Sequence, residues 1–192
     1  MNKKWYVLHV MTGEEVAIRN VIENKIGVKA WVPRRTVCER RQGIIKTVVK
    51  TLIPAYVFIQ IFLEPKVYYQ LRSVVGVIRF LGGFGPEPVQ ESEMNYLFRL
   101  CSDGEIAGLS TLSIGDGVRV TAGPLRGMEG QIVRIDRRKL RAKVRLTLLG
   151  RAHEVDMGIE VLENETQKEA QTETESGKTM DAPGMETAAG VS

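Results

Sequence analysis

The chain has 192 residues, of which 27 are basic and 23 acidic, for a formal net charge of +4. Because 43% of the residues are hydrophobic, the chain can build a folded core, which excludes wholesale disorder. The longest stretch without a charge, 51–63, is shorter than the about 20 apolar residues that a bilayer-spanning helix needs. The first residues lack a small-residue cleavage site, so the sequence predicts a cytoplasmic protein that does not contact a membrane.

Charge is unevenly divided along the chain. Residues 163–192 hold seven acidic and two basic side chains, which leaves the preceding residues at +9. Because this final segment has few large apolar residues, burial cannot offset its ordering entropy, and we expect 164–192 to be a disordered acidic tail. The basic remainder indicates an anionic partner, most simply nucleic acid, and a solvated basic surface is the alternative.

Hydrophobic spacing predicts an α+β domain over residues 1–102. The predicted elements are strand Trp5–Met11, a helix that begins with a Thr12/Glu15 capping box and ends at Gly27, strands Ala30–Glu39, Ile44–Lys50 and Ala55–Phe62, a helix from Pro65, strand Gly76–Leu81 and helix Gln90–Cys101. The order β-α-β-β-β-α-β-α favours one antiparallel-rich sheet backed by helices. The second and third strands form a hairpin whose basic tip carries Arg40 and Arg41, with Arg34 and Arg35 nearer its base.

The pattern changes after residue 102. Residues 103–111 lack large apolar periodicity and are the predicted linker. Glycines then separate short strands at Val118–Val120, Gln131–Ile135, Ala142–Leu148 and His153–Val155. Closely spaced short strands without a helix predict a small all-β barrel over 112–163.

Basic residues are concentrated in the predicted barrel. Alternation along one strand places Arg141, Lys143 and Arg145 on a single outer face. Since aligned like charges repel, contact with a phosphate backbone is one reason to tolerate them, and a solvated strand face is the alternative. The candidate nucleic-acid-binding residues of this region are Arg134, Arg137, Arg138, Lys139, Arg141, Lys143, Arg145 and Arg151.

Nothing in the sequence suggests catalysis or a cofactor. It contains no nucleophile elbow, P-loop or dinucleotide-binding fingerprint. Two cysteines, Cys38 and Cys101, and two histidines, His9 and His153, lack the spacing of a zinc site. We therefore predict a binding protein that is not an enzyme and holds no metal.

The chain resembles the NusG family of transcription elongation factors over about residues 5–162. The matching segments are Trp5–Val7, Ile53–Phe58, Leu71–Val74, Gly76–Val77 and Phe80–Gly83. A second set resembles the family's KOW motif, namely Gly115–Val120, Gly123–Leu125, Gly127–Gly130 and Ile135–Asp136. The resemblance implies a NusG N-terminal-like domain at 1–102, followed by a KOW domain of the SH3-like barrel type at 112–163.

The resemblance also implies a set of partners. In this family the N-terminal domain binds the clamp helices of RNA polymerase and reduces pausing. The positions that match its apolar contact surface are Trp5, Ile53, Pro54, Tyr56, Tyr68 and Val75. His9 and Arg19 match the surface that reads non-template DNA, and the hairpin arginines are candidates for upstream DNA or RNA.

The KOW domain of the family usually recruits the termination factor Rho or a ribosomal protein, through the segment that matches Leu148–Arg151. The housekeeping pattern commonly has an aromatic residue where Leu149 stands. Together with the extra basic residues, this departure favours a specialised paralogue of the LoaP or RfaH kind. Such a factor would act as a monomer, bind a leader RNA hairpin and promote antitermination on particular operons. A general factor whose KOW domain binds proteins is the alternative.

Overall fold

The computed structural model describes residues 2–101, 104–114 and 117–162. The N-terminal part contains three helices and seven strands, which in chain order are β1 (Lys4–Val10), α1 (Glu15–Val21), β2 (Lys29–Trp31), β3 (Arg34–Arg41), β4 (Ile44–Thr51), β5 (Tyr56–Ile61), α2 (Pro65–Arg72), β6 (Val77–Phe80), α3 (Glu91–Leu100) and β7 (Ile106–Ala107). A single π-helical turn, Ile22–Ile26, extends α1 and ends at Gly27, whose left-handed φ of 73° confirms the predicted helix end.

The strands of this part form two sheets rather than the single sheet expected. A four-stranded antiparallel sheet has the order β2-β5-β1-β6, and a separate three-stranded sheet has the order β4-β3-β7. The predicted strand at 30–39 is interrupted at Val32–Pro33, so that Lys29–Trp31 pairs with β5 and Arg34–Arg41 pairs with β4. Proline donates no backbone hydrogen bond, which explains why the chain leaves the first sheet there.

Alternation along β5 supplies the apolar side chains of both faces of the four-stranded sheet. Val57 and Ile59 pack with Ile18 and Leu71 from the helices on one face. Phe58 packs with a second cluster on the other face, which also contains Leu97 of α3. A strand buried on both faces reads as an apolar run, as β5 does. Pro65 occupies the first turn of α2, as predicted.

The predicted capping box at Thr12 is wrong. The residue before α1 is Glu14, and no side chain caps the helix. Glu15 is instead only 3% exposed, and its carboxylate accepts hydrogen bonds from the backbone N–H of Ala55 at 2.7 Å and of Gly13 at 3.1 Å. A charge buried in this way requires such partners, so Glu15 links the start of α1 to the start of β5.

The C-terminal part is a five-stranded sheet with the order β10-β11-β12-β8-β9. Its strands are β8 (Ser110–Ile114), β9 (Val118–Ala122), β10 (Ile132–Asp136), β11 (Arg141–Leu148) and β12 (Arg151–Leu162). The four predicted strands are present, although β12 is far longer than expected and β8 was missed. The predicted linker, 103–111, also contains a short strand. Its residues Ile106–Ala107 form β7, which pairs in parallel with β3. The domain boundaries remain predictions, and the predicted tail, 164–192, lies outside the described residues.

The C-terminal sheet packs directly on the β3–β4 hairpin. A Cβ atom at Gly158 of β12 would lie 2.4 Å from the carbonyl oxygen of Thr36 and 3.1 Å from the Cα of Val37. Only glycine permits this approach of two backbones. Among the residues that the structure describes, no helix is long and apolar enough to cross a membrane.

Candidate nucleic-acid and protein interfaces

The basic face of β11 is opposed by acidic residues of β12. Arg145 and Lys143 lie 3.6 and 3.8 Å from Glu154, and Lys143 also lies 3.8 Å from Asp156. Arg141 lies 3.9 Å from Asp156. The premise that these three basic charges stand unopposed is therefore wrong, although their contact with RNA remains a prediction. The period-2 spacing of Glu154 and Asp156 in the sequence could have revealed the pairing.

The β10–β11 turn carries basic residues that extend into solvent. Arg137, Arg138 and Lys139 are all exposed. Lys139 Nζ lies 3.9 Å from Asp136, whose carboxylate also accepts a hydrogen bond from the Lys139 backbone N–H at 2.9 Å. Within residues 2–101, 104–114 and 117–162, Arg137 and Arg138 have no carboxylate within ion-pair distance. The turn, rather than the strand face, is thus the strongest uncompensated positive region of this sheet.

The remaining predicted nucleic-acid residues lie in three places. Arg134 on β10 and Arg151 at the start of β12 are exposed. Arg40 is exposed at the end of β3, and the side chain of Arg41 lies outside the described part of the structure. Arg40 and the turn residues Arg138 and Lys139 line the same groove, so the structure brings two separately predicted basic sites together.

Other arginines of the N-terminal part have internal partners. Arg34 forms an ion pair with Glu105 at 2.7 Å, and Arg19 also pairs with Glu105. Arg35 donates a hydrogen bond to the carbonyl oxygen of Leu52 at 3.0 Å, and burial lowers its pKa from the usual value. These residues stabilise the base of the hairpin and are poorly placed to contact a nucleic acid.

The predicted polymerase-binding residues do not form one continuous face. Trp5 packs edge-on against Trp31 and Phe98, and Ile53 is only 4% exposed. Both belong to the face that also contains Tyr56.

The other three positions lie elsewhere on the N-terminal part. Tyr68 belongs to the opposite face, where its ring stacks on Phe80 with centroids 5.1 Å apart. Pro54 is exposed just before β5, and Val75 is 89% exposed after α2. Ile53 is therefore the one buried side chain of the six, whereas Trp5, Pro54, Tyr56, Tyr68 and Val75 each present some side-chain surface.

Tyr56 lies against the C-terminal sheet. Its ring is edge-on to His153 at 5.7 Å and to His9 at 6.0 Å. Burial, and then the charge of Arg151, lower the pKa of His153 from its usual value. This contact was not predicted from the sequence, because it joins residues that are far apart in the chain.

A second contact joins the N-terminal part to the C-terminal sheet. The carboxylate of Glu93 on α3 accepts hydrogen bonds from the backbone N–H groups of Leu149 at 3.1 Å and Gly150 at 3.5 Å. Leu149 has a left-handed φ of 49°, which turns these amides toward α3. The segment that matches the family's protein-binding strand is therefore engaged with the N-terminal part.

The described residues offer no catalytic or metal-binding cluster. No group of three or more His, Cys, Asp or Glu side chains among them could hold a metal ion. Cys38 and Cys101 are both buried and free, and burial raises the pKa of the Cys101 thiol to about 11. A thiol with such a pKa is a poor nucleophile at neutral pH.

A small α+β domain followed by a five-stranded sheet with a basic turn defines a class of two-part binding protein. Residues 3–98 match the family model described as transcription termination factor nusG, and residues 114–147 match the KOW motif. The chain therefore belongs to the NusG family of transcription termination/antitermination proteins, whose members are transcription factors and not enzymes.

Individual relatives agree with this assignment. The transcription termination/antitermination protein NusG of Rickettsia typhi is 30% identical over 166 residues, which cover 81% of this chain and 86% of that protein. The protein of the same name from Staphylococcus aureus is 24% identical over 173 residues, with coverages of 84% and 95%. A solved structure titled "Domain interaction in Thermotoga maritima NusG" matches with a TM-score of 0.54 and 28% identity, over 82% of this chain and 94% of that one.

Proposed function

We propose that this chain is an antitermination factor that binds RNA polymerase through its N-terminal domain and an RNA hairpin through its KOW domain. Binding to both would suppress pausing and termination on particular operons. The observation that carries the RNA part is the exposed β10–β11 turn, where Arg137 and Arg138 have no carboxylate partner among the described residues. Structured RNA is recognised largely through its shape and phosphates, which suits clustered arginines.

Polymerase binding is supported by family membership and by the exposed positions of the matching residues. Tyr56 and Tyr68 are half-buried aromatic side chains, a type that is enriched among the residues that dominate protein interfaces. Pro54 and Val75 lie on exposed turns beside them in the chain. Trp5 is half-buried on the same sheet face as Tyr56 and would contribute to the contact, whereas the buried Ile53 would act by holding that face. We assign the clamp helices as the target by resemblance to the family.

The alternative is a general NusG-like factor whose KOW domain binds Rho or a ribosomal protein. The ion pairs between β11 and β12 favour this alternative, because they leave the strand face close to neutral. A neutral strand face suits a protein partner better than a phosphate backbone. Upstream DNA is a further proposed contact of Arg40 and Arg41.

Transcription in vitro past a terminator tests the proposal. Templates with and without an upstream hairpin-coding leader are transcribed with the wild-type chain and with an Arg137→Gln/Arg138→Gln variant. The proposal expects read-through to rise only on the leader template, and only with the wild-type chain. Equal read-through on both templates would instead support the general factor. Loss of read-through on addition of Rho, with no leader effect, would identify the protein-binding alternative.

A further inference from the structure

A groove of about 370 Å³ separates the β3–β4 hairpin from the β10–β11 turn. Its hairpin side includes Arg40 and Ile45, and its other side includes Arg138, Lys139 and Arg141. The two sides come from parts of the chain that are about a hundred residues apart, so the groove exists only when the C-terminal sheet packs on the hairpin.

Two of the four basic residues that line this groove lack a carboxylate partner among the described residues. Arg40 and Arg138 are exposed, and neither has a carboxylate partner among the described residues. The acidic residue of the lining, Glu39, forms an ion pair with Lys50. Arg141 lies 3.9 Å from Glu39, and its buried Nε has no hydrogen-bond partner in the part of the chain that the structure describes. The groove therefore combines net positive charge with an unused donor.

The packing that creates the groove is specific. Arg141 Nη2 donates a hydrogen bond to the carbonyl oxygen of Cys38 at 3.3 Å, which ties β11 to β3. Beside it, Gly158 leaves no space for a side chain against Thr36. A single methyl group at Gly158 should therefore separate the two sides without changing any charge.

We infer that this groove binds the sugar-phosphate backbone of an RNA stem, with Arg40 on one side and Arg138 on the other. The inference rests on the proposed function, because it specifies how the KOW domain and the N-terminal domain bind the same hairpin together. Phosphates spaced along a strand suit basic side chains on both walls of a groove, and each contact releases counterions. The hairpin of the N-terminal domain thus forms half of the RNA site.

Salt-dependent binding of the full chain to a labelled RNA hairpin tests the inference. Arg40→Gln and Arg138→Gln should each weaken binding at least about threefold and lower the slope of log affinity against log salt by about 1. Lys46→Gln is the matched control, since Lys46 is exposed on the same hairpin but does not line the groove. It should leave both the affinity and the slope unchanged.

The outcomes separate this inference from the proposed function. If Arg138→Gln weakens binding and Arg40→Gln does not, the turn binds RNA but the shared groove is refuted. If neither variant has an effect, the turn does not bind RNA, and both the shared groove and the proposed RNA binding are refuted. If poly-glutamate displaces the RNA at equal charge concentration, the groove accepts an acidic protein and the RNA assignment is overturned.

A geometric variant gives an independent test. Gly158→Ala keeps every charge, and it should remove the contribution of Arg40, so that Arg40→Gln has no further effect in that background. Circular dichroism shows whether the variant is folded; if it is not, the Arg40 and Arg138 single and double variants decide the question. In the double variant, additive losses of affinity from Arg40→Gln and Arg138→Gln support two walls that contact one RNA. If Gly158→Ala is folded and Arg40→Gln still weakens binding in that background, the shared groove is contradicted.

Discussion

His153 of the C-terminal sheet lies edge-on to Tyr56 of the N-terminal sheet, with ring centroids 5.7 Å apart. Tyr56 is one of the residues proposed to bind polymerase, so under that proposal one side chain would belong to two surfaces. Edge-to-face contacts of aromatic rings stabilise such a junction by about 1 kcal/mol. The junction therefore competes for the same ring that the polymerase would use.

Replacement of Tyr56 tests its place in the polymerase interface. We expect Tyr56→Ala to weaken binding to polymerase by about 2 kcal/mol, because rigid aromatic residues dominate interface energies. Tyr69→Ala is the control, since Tyr69 is 70% exposed on α2 and was not assigned to the interface. Titration of polymerase with a fluorescent form of the chain measures both. Equal losses from the two variants, or none from Tyr56→Ala, would contradict the assignment.

The contact of His153 predicts a pH dependence of stability. Its pKa in the folded chain lies below the usual 6.5, because burial and Arg151 disfavour the charged imidazolium. The unfolded state therefore binds the proton more readily, and stability is fully present above about pH 6.5 and falls as the pH drops through the folded value. The other charged residues that line the same cavity are Arg79 and Glu87.

Denaturant titrations between about pH 8 and pH 5.5 measure this effect. The wild-type chain should lose more stability on acidification than His153→Gln, which cannot gain the proton. His9→Gln is a suitable control, because His9 also lies edge-on to Tyr56. The same pH profile for His153→Gln and the wild type would refute the prediction.

The buried carboxylate of Glu15 links the start of α1 to the start of β5 through the backbone N–H of Ala55. Glu15→Ala leaves the backbone N–H of Ala55 without its partner, so we expect the free energy of unfolding to decrease by about 2 kcal/mol. Glu14→Ala, at the exposed neighbouring position, should change it by less than about 0.5 kcal/mol. Urea denaturation followed by tryptophan fluorescence compares the two. Comparable losses would mean that the local acidic charge matters and the hydrogen bond to Ala55 does not.

The acidic partner strand allows a test of the β11 face. Glu154→Gln removes the ion-pair partner that Lys143 and Arg145 share, and stability should change by no more than about 1 kcal/mol. If this face lies against RNA, affinity for the hairpin should rise at low salt, because Arg145 loses its carboxylate partner and Lys143 keeps only Asp156. Glu160→Gln, an exposed change on the same strand, controls for net charge. An equal rise in both variants would show a general charge effect and exclude the β11 face as a contact.

Local patterns were sufficient where neighbours in sequence determine structure. The apolar run at 55–62, the proline at 65 and the glycine at 27 predicted a strand, a helix start and a helix end that the structure contains. Alternation in Arg141–Leu148 correctly identified the buried and outer faces of β11. The errors arose where a local motif had a distant competitor. Glu15 had the spacing of a capping box, but the amide of Ala55 binds its carboxylate.

By itself, the sequence determined the family, the class of each domain and the positions of the basic residues, because these follow from residue type and short-range periodicity. Only the tertiary structure decided which of those charges remain available. Pairing of β12 with β11 places acidic side chains beside the basic ones on the outer face of β11. The close approach of Gly158 to Thr36 brings Arg40 and Arg138 to the two sides of one groove. Charge compensation and backbone contact depend on distances between segments remote in the chain, and no local pattern encodes those distances.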